Sequence, residues 1–311
     1  KVQVFKDTNS NGAIDSGELL GAATVTAGGA WSATPTTAMT AGTYTIKANV
    51  TDLAGNVSAA STGLALTIDT SKPVAPAALA LAAASDTGVS AIDKVTSDTT
   101  PTITGTGENG ATVTLFRDAN NNGLVDGGEA VGTATVASGK WSVDAGTLAD
   151  GVNNLKAVQT DPVGNISPAS TALAITIDTV ANAPASLDLA TASDTGLSTT
   201  DNNTRTTAPV VTGTAEAGAT VQLKEGDTIL GTAIAGTTGV WSITSATLAE
   251  GVHNLTAVQT DKAGNVSDAS AALTLTIDLS AESAPGTPDL DASSDLGASN
   301  TDDYTSDTTP T

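Results

Sequence analysis

Two stretches of this chain carry residue types, at a spacing, that can wrap a hard cation. Residues 7–18 read Asp-Thr-Asn-Ser-Asn-Gly-Ala-Ile-Asp-Ser-Gly-Glu, and residues 118–129 read Asp-Ala-Asn-Asn-Asn-Gly-Leu-Val-Asp-Gly-Gly-Glu. Calcium takes about six to eight oxygen ligands, and a loop of EF-hand type supplies them from positions 1, 3, 5, 7, 9 and 12 around a glycine bend at position 6. On that pattern the first loop offers Asp7, Asn9, Asn11, the carbonyl of Ala13, Asp15 and Glu18. The second offers Asp118, Asn120, Asn122, the carbonyl of Leu124, Asp126 and Glu129. Glu18 and Glu129 would close the shell with both carboxylate oxygens. Single Asp and Asn residues are common in turns without any ion. A full match at two equivalent places makes Ca2+ the expected ligand. The flanking residues alternate apolar and polar, so each loop is expected to join two strands rather than two helices.

The places are equivalent because the chain repeats itself. Asp-x-x-Gly-Asn-x-Ser begins at Asp52, Asp161 and Asp261, and Thr-Ile-Asp ends at Asp69, Asp178 and Asp278, 17 residues further on in each copy. Trp-Ser stands at Trp31, Trp141 and Trp241, and Ser-Asp-x-Gly begins at Ser85, Ser193 and Ser294. Four elements in one order, about 100 to 110 residues apart, define the domains. Residues 1–70 read as a domain lacking its first strands, 71–179 and 180–279 as complete domains, and 280–311 as the start of another, shortly past its first strand. The native protein is therefore expected to continue at both ends. In the third copy the loop shrinks to Glu225-Gly226-Asp227-Thr228, so the twelve-residue loop is an insertion the fold can do without.

Within residues 71–179 the alternation predicts seven strands, at 77–83, 100–106, 111–117, 131–137, 140–144, 152–160 and 171–178. Short strands between Gly/Asp/Asn turns, with no sustained helical period, predict an all-β fold: tandem Ig-like antiparallel β-sandwiches in an elongated array. In an up-and-down sandwich the loops alternate between two poles. The segment between the first two strands, with Asp86, Asp93 and Asp98, should share a pole with Asp178 at the end of the last strand. The next copy would present Asp261 to that pole. By the same reasoning Asp69 faces Asp161, and Asp194, Asp201 and Asp278 gather in the third copy, where Thr206 replaces the counterpart of Asp98. Carboxylates gathered at a junction repel one another unless a cation bridges them, so calcium is expected there as well.

The ordered set Thr-Pro-Thr-Ile-Thr-Gly-Thr at 100–106, Trp-Ser, Asp-x-x-Gly-Asn-x-Ser and Thr-Ile-Asp-Thr resembles the bacterial Ig-like repeats of giant secreted adhesins, including RTX-type and biofilm-associated proteins. The resemblance covers essentially the whole chain. It implies a non-catalytic extender region at the bacterial cell surface, stiffened by calcium and projecting an adhesive tip for cell adhesion or biofilm formation. Its partners would be neighbouring repeats of the same chain and, through domains elsewhere in the protein, a host or abiotic surface. A ligand-binding module, for a glycan for instance, is the alternative. Such a module should carry one divergent, aromatic-rich loop, whereas the loops here are shared between copies.

Composition agrees with a non-enzyme. The 33 acidic residues against 11 basic ones, a formal net of -22, repel nucleic acid and anionic membranes. There is no cysteine, hence no disulfide and no thiolate zinc site. No apolar run approaches the roughly 20 residues that span a membrane, and no signal peptide is visible. The one histidine, His253, aligns with Asn153 and Tyr44, so it reads as a rim residue without fixed chemistry, and no Ser-His-Asp triad can be built. Paired aspartates could suggest a glycosidase, but an active site does not ordinarily recur every domain. The three tryptophans read as core or rim aromatics rather than sugar platforms. Asn56, Asn165 and Asn265 stand in Asn-x-Ser triplets, but each follows a glycine in a turn, so turn geometry accounts for them without a glycan.

Overall fold

The computed structural model describes residues 1–295, 298–299, 301 and 303–311. It divides into two compact units: Lys1–Val180 together with Asp261–Asn265, and Ala181–Thr260 together with Val266–Thr311.

The first unit opens with one four-stranded sheet: β1 (Val2–Lys6), β2 (Leu19–Ala23), β3 (Gly42–Val50) and β4 (Leu64–Ile68), in the order β2-β1-β3-β4. The second repeat follows with β5 (Ala77–Leu81), β6 (Val95–Thr96), β7 (Thr102–Thr106), β8 (Thr112–Arg117), β9 (Ala130–Thr135), β10 (Lys140–Asp144), β11 (Gly151–Thr160) and β12 (Leu173–Ile177). These make a three-stranded sheet, β10-β7-β5, and a five-stranded sheet, β6-β12-β11-β8-β9. The second unit repeats that plan with β13 (Ala185–Leu189), β14 (Asn203–Thr204), β15 (Val210–Thr214), β16 (Thr220–Glu225), β17 (Thr228–Ile234), β18 (Val240–Thr244), β19 (Gly251–Thr260) and β20 (Leu273–Ile277). Its sheets run β13-β15-β18 and β14-β20-β19-β16-β17.

The seven expected strands of the second repeat all form, within one or two residues of their expected ends, and an eighth joins them. After β5 the chain leaves its sheet, crosses over, and lays β6 parallel to the end of β12, pairing Thr176 with Val95 and Ile177 with Thr96. The pole expectation assumed that this segment stays in its sheet. The segment does switch, yet the parallel pairing itself sets the segment carrying Asp86, Asp93 and Asp98 beside Asp178. Two residues of ladder are too short to read from periodicity.

The strands form because alternate side chains find a shared interior. Ile103, Val113, Leu115, Trp141, Val143, Leu155, Ile175 and Ile177 make one core, and Val211, Val221, Leu223, Trp241, Ile243, Leu255, Leu275 and Ile277 make its counterpart. Each fully buried side chain contributes about 1.5–3 kcal/mol relative to exposure. Glycine in the Thr-Ile-Thr-Gly-Thr motif has a packing reason. A Cβ on Gly105 would lie 2.3 Å from the Trp141 indole, and one on Gly213 would lie 2.4 Å from that of Trp241, so each glycine leaves room for the ring to cross its strand. Trp141 and Trp241 are core residues, 4% and 2% exposed. Trp31 is the exception at 45%: the first segment holds no counterpart of β7, and Trp31 lies in no strand. Among the described residues from 280 onward no strand forms, so the first strand expected there is not seen. Gly297 of the third Ser-Asp-x-Gly element lies outside the described residues.

Candidate metal sites

The two twelve-residue loops fold alike. Asp7 is buried at the loop mouth, where its Oδ2 accepts the Gly12 N–H at 3.1 Å. Asp118 Oδ2 accepts the Gly123 N–H at 2.9 Å in the same way. Asn9 and Asn11 both donate to Asp15 Oδ2, at 2.7 and 2.9 Å, and Asn120 and Asn122 donate to Asp126 Oδ2 at the same two distances. Glu18 Oε2 accepts Asp15 N–H at 3.0 Å, and Glu129 Oε2 accepts Asp126 N–H at 3.1 Å. Positions 3, 5 and 12 therefore meet position 9 in both loops, while position 1 meets the glycine at position 6. Where the asparagines present an amide nitrogen, a half-turn of the carboxamide presents its oxygen instead. Asp7 Oδ1 is buried with no hydrogen-bond partner, a costly arrangement that a cation ligated there would relieve.

The sequence reading missed what underlies these loops. Lys47 Nζ lies 2.7 Å from Asp7 Oδ2, and Lys156 Nζ lies 2.8 Å from Asp118 Oδ2. Each lysine pairs across the sheet with a fully buried phenylalanine, Phe5 with Lys47 and Phe116 with Lys156. In the third repeat the pair is Lys224 and Thr256, beneath a hairpin of Gly226 and Asp227 between paired Glu225 and Thr228. Aligning the three copies by strand would have exposed this coincidence of Phe, Lys and loop. The lysine ammonium holds the carboxyl groups of Asp7 and Asp118 below the usual carboxylate range, assisted by backbone N–H donors and opposed by burial. Glu18 is also held low, by the Thr8 hydroxyl and by the N–H groups of Asp15 and Thr8. Three carboxylates and one ammonium leave a formal charge of about -2 at each loop, which a divalent cation would neutralise.

The junction aspartates have more varied settings. Asn165 Nδ2 donates both to Asp161 Oδ2, at 2.7 Å, and to the Asp69 backbone carbonyl, at 3.2 Å, so Asn165 links the two residues. Burial pushes the Asp161 carboxyl up, but the side-chain and backbone donors of Asn165 outweigh it and the net displacement is downward. Asn265, which packs with the first unit, makes the same pair of bonds to Asp261 and to the Asp178 carbonyl, both at 2.8 Å. The three aspartates of the segment between β5 and β7 stand in different settings. Asp86 is buried, whereas Asp93 accepts Val95 N–H and Asp98 accepts Thr100 N–H as local turn caps. Asp201 caps Asn203 likewise, and Asp278 caps Ser280. Asp194, like Asp86, is buried. A two-residue turn bond engages one carboxylate oxygen and leaves the other available to a ligand.

Two smaller expectations need correction. His253 is not a rim residue without fixed chemistry. Its Nε2 lies 2.9 Å from Ala249 O, while Asn153 Nδ2 donates to Ala149 O at 2.9 Å and the Tyr44 hydroxyl to Thr40 O at 2.9 Å. All three side chains close the loop before their strand. In the Asn-x-Ser turns the left-handed residue is the glycine, at φ 92°, 100° and 93° for Gly55, Gly164 and Gly264. The asparagine's role there is to donate to the aspartate four residues earlier. Buried Gln159, also missed, ties the linker to its domain by accepting Glu108 N–H at 2.9 Å and donating to Val74 O at 2.7 Å. Gln259 does the same with Glu216 N–H and Asn182 O.

Sandwiches of one three-stranded and one five-stranded sheet, repeated in tandem with shared turns, define an array of immunoglobulin-like modules. A family model for the bacterial Ig-like domain matches residues 4–70, 73–179 and 181–279, and the chain belongs to that family. Among solved structures the chain is similar to the BSP domain of a biofilm-associated protein, with 16% identity over 88% of this chain and 56% of that one, at a TM-score of 0.24. It is also similar to a structure of a 1.5-MDa bacterial ice-binding adhesin, with 22% identity over 75% and 73% of the two chains, at a TM-score of 0.35. A third is the SGBP-B protein of a Bacteroides ovatus mixed-linkage glucan utilization locus, in complex with a heptasaccharide. It shows 14% identity over 89% and 59%, at a TM-score of 0.20. The chain thus spans about half the length, 56%, of the first of these. No curated protein matches it. No helix among the described residues is long and apolar enough to cross a membrane.

Proposed function

We propose that this chain is a non-catalytic stalk region of a bacterial surface adhesin, exported from the cell, in which calcium stiffens repeats and junctions. The observation that carries the calcium reading is the matching closure of two twelve-residue loops, each gathering its asparagines and glutamate on the aspartate at position 9 beside a lysine-balanced aspartate. One ion belongs in each loop, at Asp7 to Glu18 and at Asp118 to Glu129, and none at the two-residue turn of the third repeat. At the junctions, Asp69 with Asp161 and Asp178 with Asp261 are the carboxylates to be bridged. The tandem family match supports the stalk role, since repeats with shared loops extend a chain without diversifying its surface. Partners are neighbouring repeats and, through other domains of the protein, a host or abiotic surface.

Small-angle scattering with calcium and with chelator tests the stiffening. The expected result is a longer, less flexible particle in calcium. An unchanged maximum dimension and flexibility profile would remove the role of calcium at the junctions.

A further inference from the structure

Between β13 and β15 the third repeat makes a loop, residues 194–203, that apolar packing does not account for. Asp194 is only 3% exposed. Its Oδ2 accepts the Asn202 N–H at 3.2 Å, which turns the carboxylate into the loop, while its Oδ1 is buried with no partner. Asn202 Oδ1 is buried and unpartnered as well. An unpaired carboxylate oxygen out of water carries a desolvation cost, and the cost recurs in the second repeat. There Asp86, 6% exposed, gives its Oδ2 to Lys94 N–H at 3.3 Å and leaves Oδ1 without a partner. A lapse of packing would not place the same orphan atom in two copies.

The surroundings of Gly196 point to what would satisfy it. The three atoms nearest the position a Cβ would occupy are all oxygens: Asn203 O at 3.6 Å, Ser198 O at 3.6 Å and Asp201 Oδ1 at 3.7 Å. A Cβ on Gly196 would sit in van der Waals contact with all three. Two carboxylates, one carboxamide and two backbone carbonyls from ten consecutive residues are a hard-oxygen set, which suits calcium better than a thiophilic or imidazole-seeking metal.

We propose that residues 194–203 form a calcium site internal to the third repeat, with Asp194 and Asp201 as its carboxylates, Asn202 Oδ1 and the Ser198 and Asn203 carbonyls completing it. The loop that starts at Asp86 is its counterpart, one oxygen poorer because Lys94 stands where Asn202 does. The proposal deepens the calcium reading above by moving Asp194 and Asp201 from the junction into the domain, and it does not depend on the hairpin loops.

Calcium bound per chain, measured by calorimetry and equilibrium dialysis on the 311-residue protein, separates these readings. The background is a variant with both hairpin loops disabled, Asp7→Ala, Glu18→Ala, Asp118→Ala and Glu129→Ala. Adding Asp194→Asn, which keeps an acceptor for Asn202 N–H, should remove one further ion. Adding Asp278→Asn instead should remove none. An unchanged count with Asp194→Asn overturns the proposal, and so does an equal loss with Asp278→Asn, which would return the ion to the junction. If Asp194→Asn loses its β-sheet dichroism, Asp201→Asn takes its place with the same expected loss, and an unchanged count again overturns the site. A background variant that binds as many ions as the wild type would refute the hairpin loops alone.

Discussion

The hairpins of the second and third repeats are the same pair of strands closed in two ways. β8 and β9 carry a twelve-residue loop, and β16 and β17 carry a two-residue turn with Gly226 at φ 57°. Both hairpins have a register shift just before the connection, between Leu115 and Phe116 and between Leu223 and Lys224. The difference lies under the loop. Phe116 and Lys156 support the long one, and where the loop is missing those positions become Lys224 and Thr256, hydrophilic residues suited to an uncovered face. Lys156 is needed where Asp118 must be balanced, and at the short turn the acidic Glu225 is met instead by His253, 2.9 Å away. The insertion is thus a module: loop, apolar floor and counter-charge come or go together.

The comparison predicts first that the floor is structural. Phe116→Ala should destabilise the second repeat by about 3–5 kcal/mol, as deletion of a fully buried aromatic does, whereas Lys224→Ala in the third should cost less than about 1 kcal/mol. Chemical denaturation checks both, and equal losses would mean the two positions do not differ as described. Next in size is the ion itself. Asp118→Ala with Glu129→Ala should lower the calcium count by one and reduce the calcium-induced rise in melting temperature. A calorimetric count that did not fall would dissolve the distinction between the hairpins.

The counter-charge should matter in the opposite sense. Lys156→Thr, the residue of the third repeat, should tighten calcium binding at the 118–129 loop several-fold, more so at low salt, because the site loses a repelling ammonium. Weaker binding would mean that Lys156 chiefly orients Asp118. The smallest effect is on pH dependence. Burial alone would push the His253 imidazole down, but the Ala249 carbonyl and Glu225 more than offset it, and its pKa is raised. Its contribution is therefore full below the unfolded value of about 6.5 and lost as pH rises through the folded one. Asp118, held low, contributes above its unfolded value of about 3.9 and is lost only as pH falls through its folded value. The melting-temperature difference between wild type and His253→Asn should accordingly shrink as pH rises above about 6.5. A constant difference would show that Asn, as in the second repeat, closes that loop equally well.

Strand positions in the second repeat, the repeat itself and the oxygen-rich loops were legible because each is local: alternation of period two, or ligand types at fixed spacing within twelve residues. What escaped was set by neighbours distant in sequence. β6 is two residues whose partner, β12, lies about 80 positions on, and Lys156 meets Asp118 across 38. Buried Gln159 reads as one polar residue in a strand until its partners, Val74 and Glu108, are brought to it. The sequence alone determined that this chain is a tandem of β-sandwiches with acidic, oxygen-rich loops, since turn chemistry and side-chain alternation act within a few residues. Only the tertiary structure decided which acids cap turns and which are buried with an oxygen unpaired. Burial and hydrogen-bond satisfaction belong to a carboxylate's surroundings, and identical Ser-Asp or Thr-Ile-Asp letters carry no record of them.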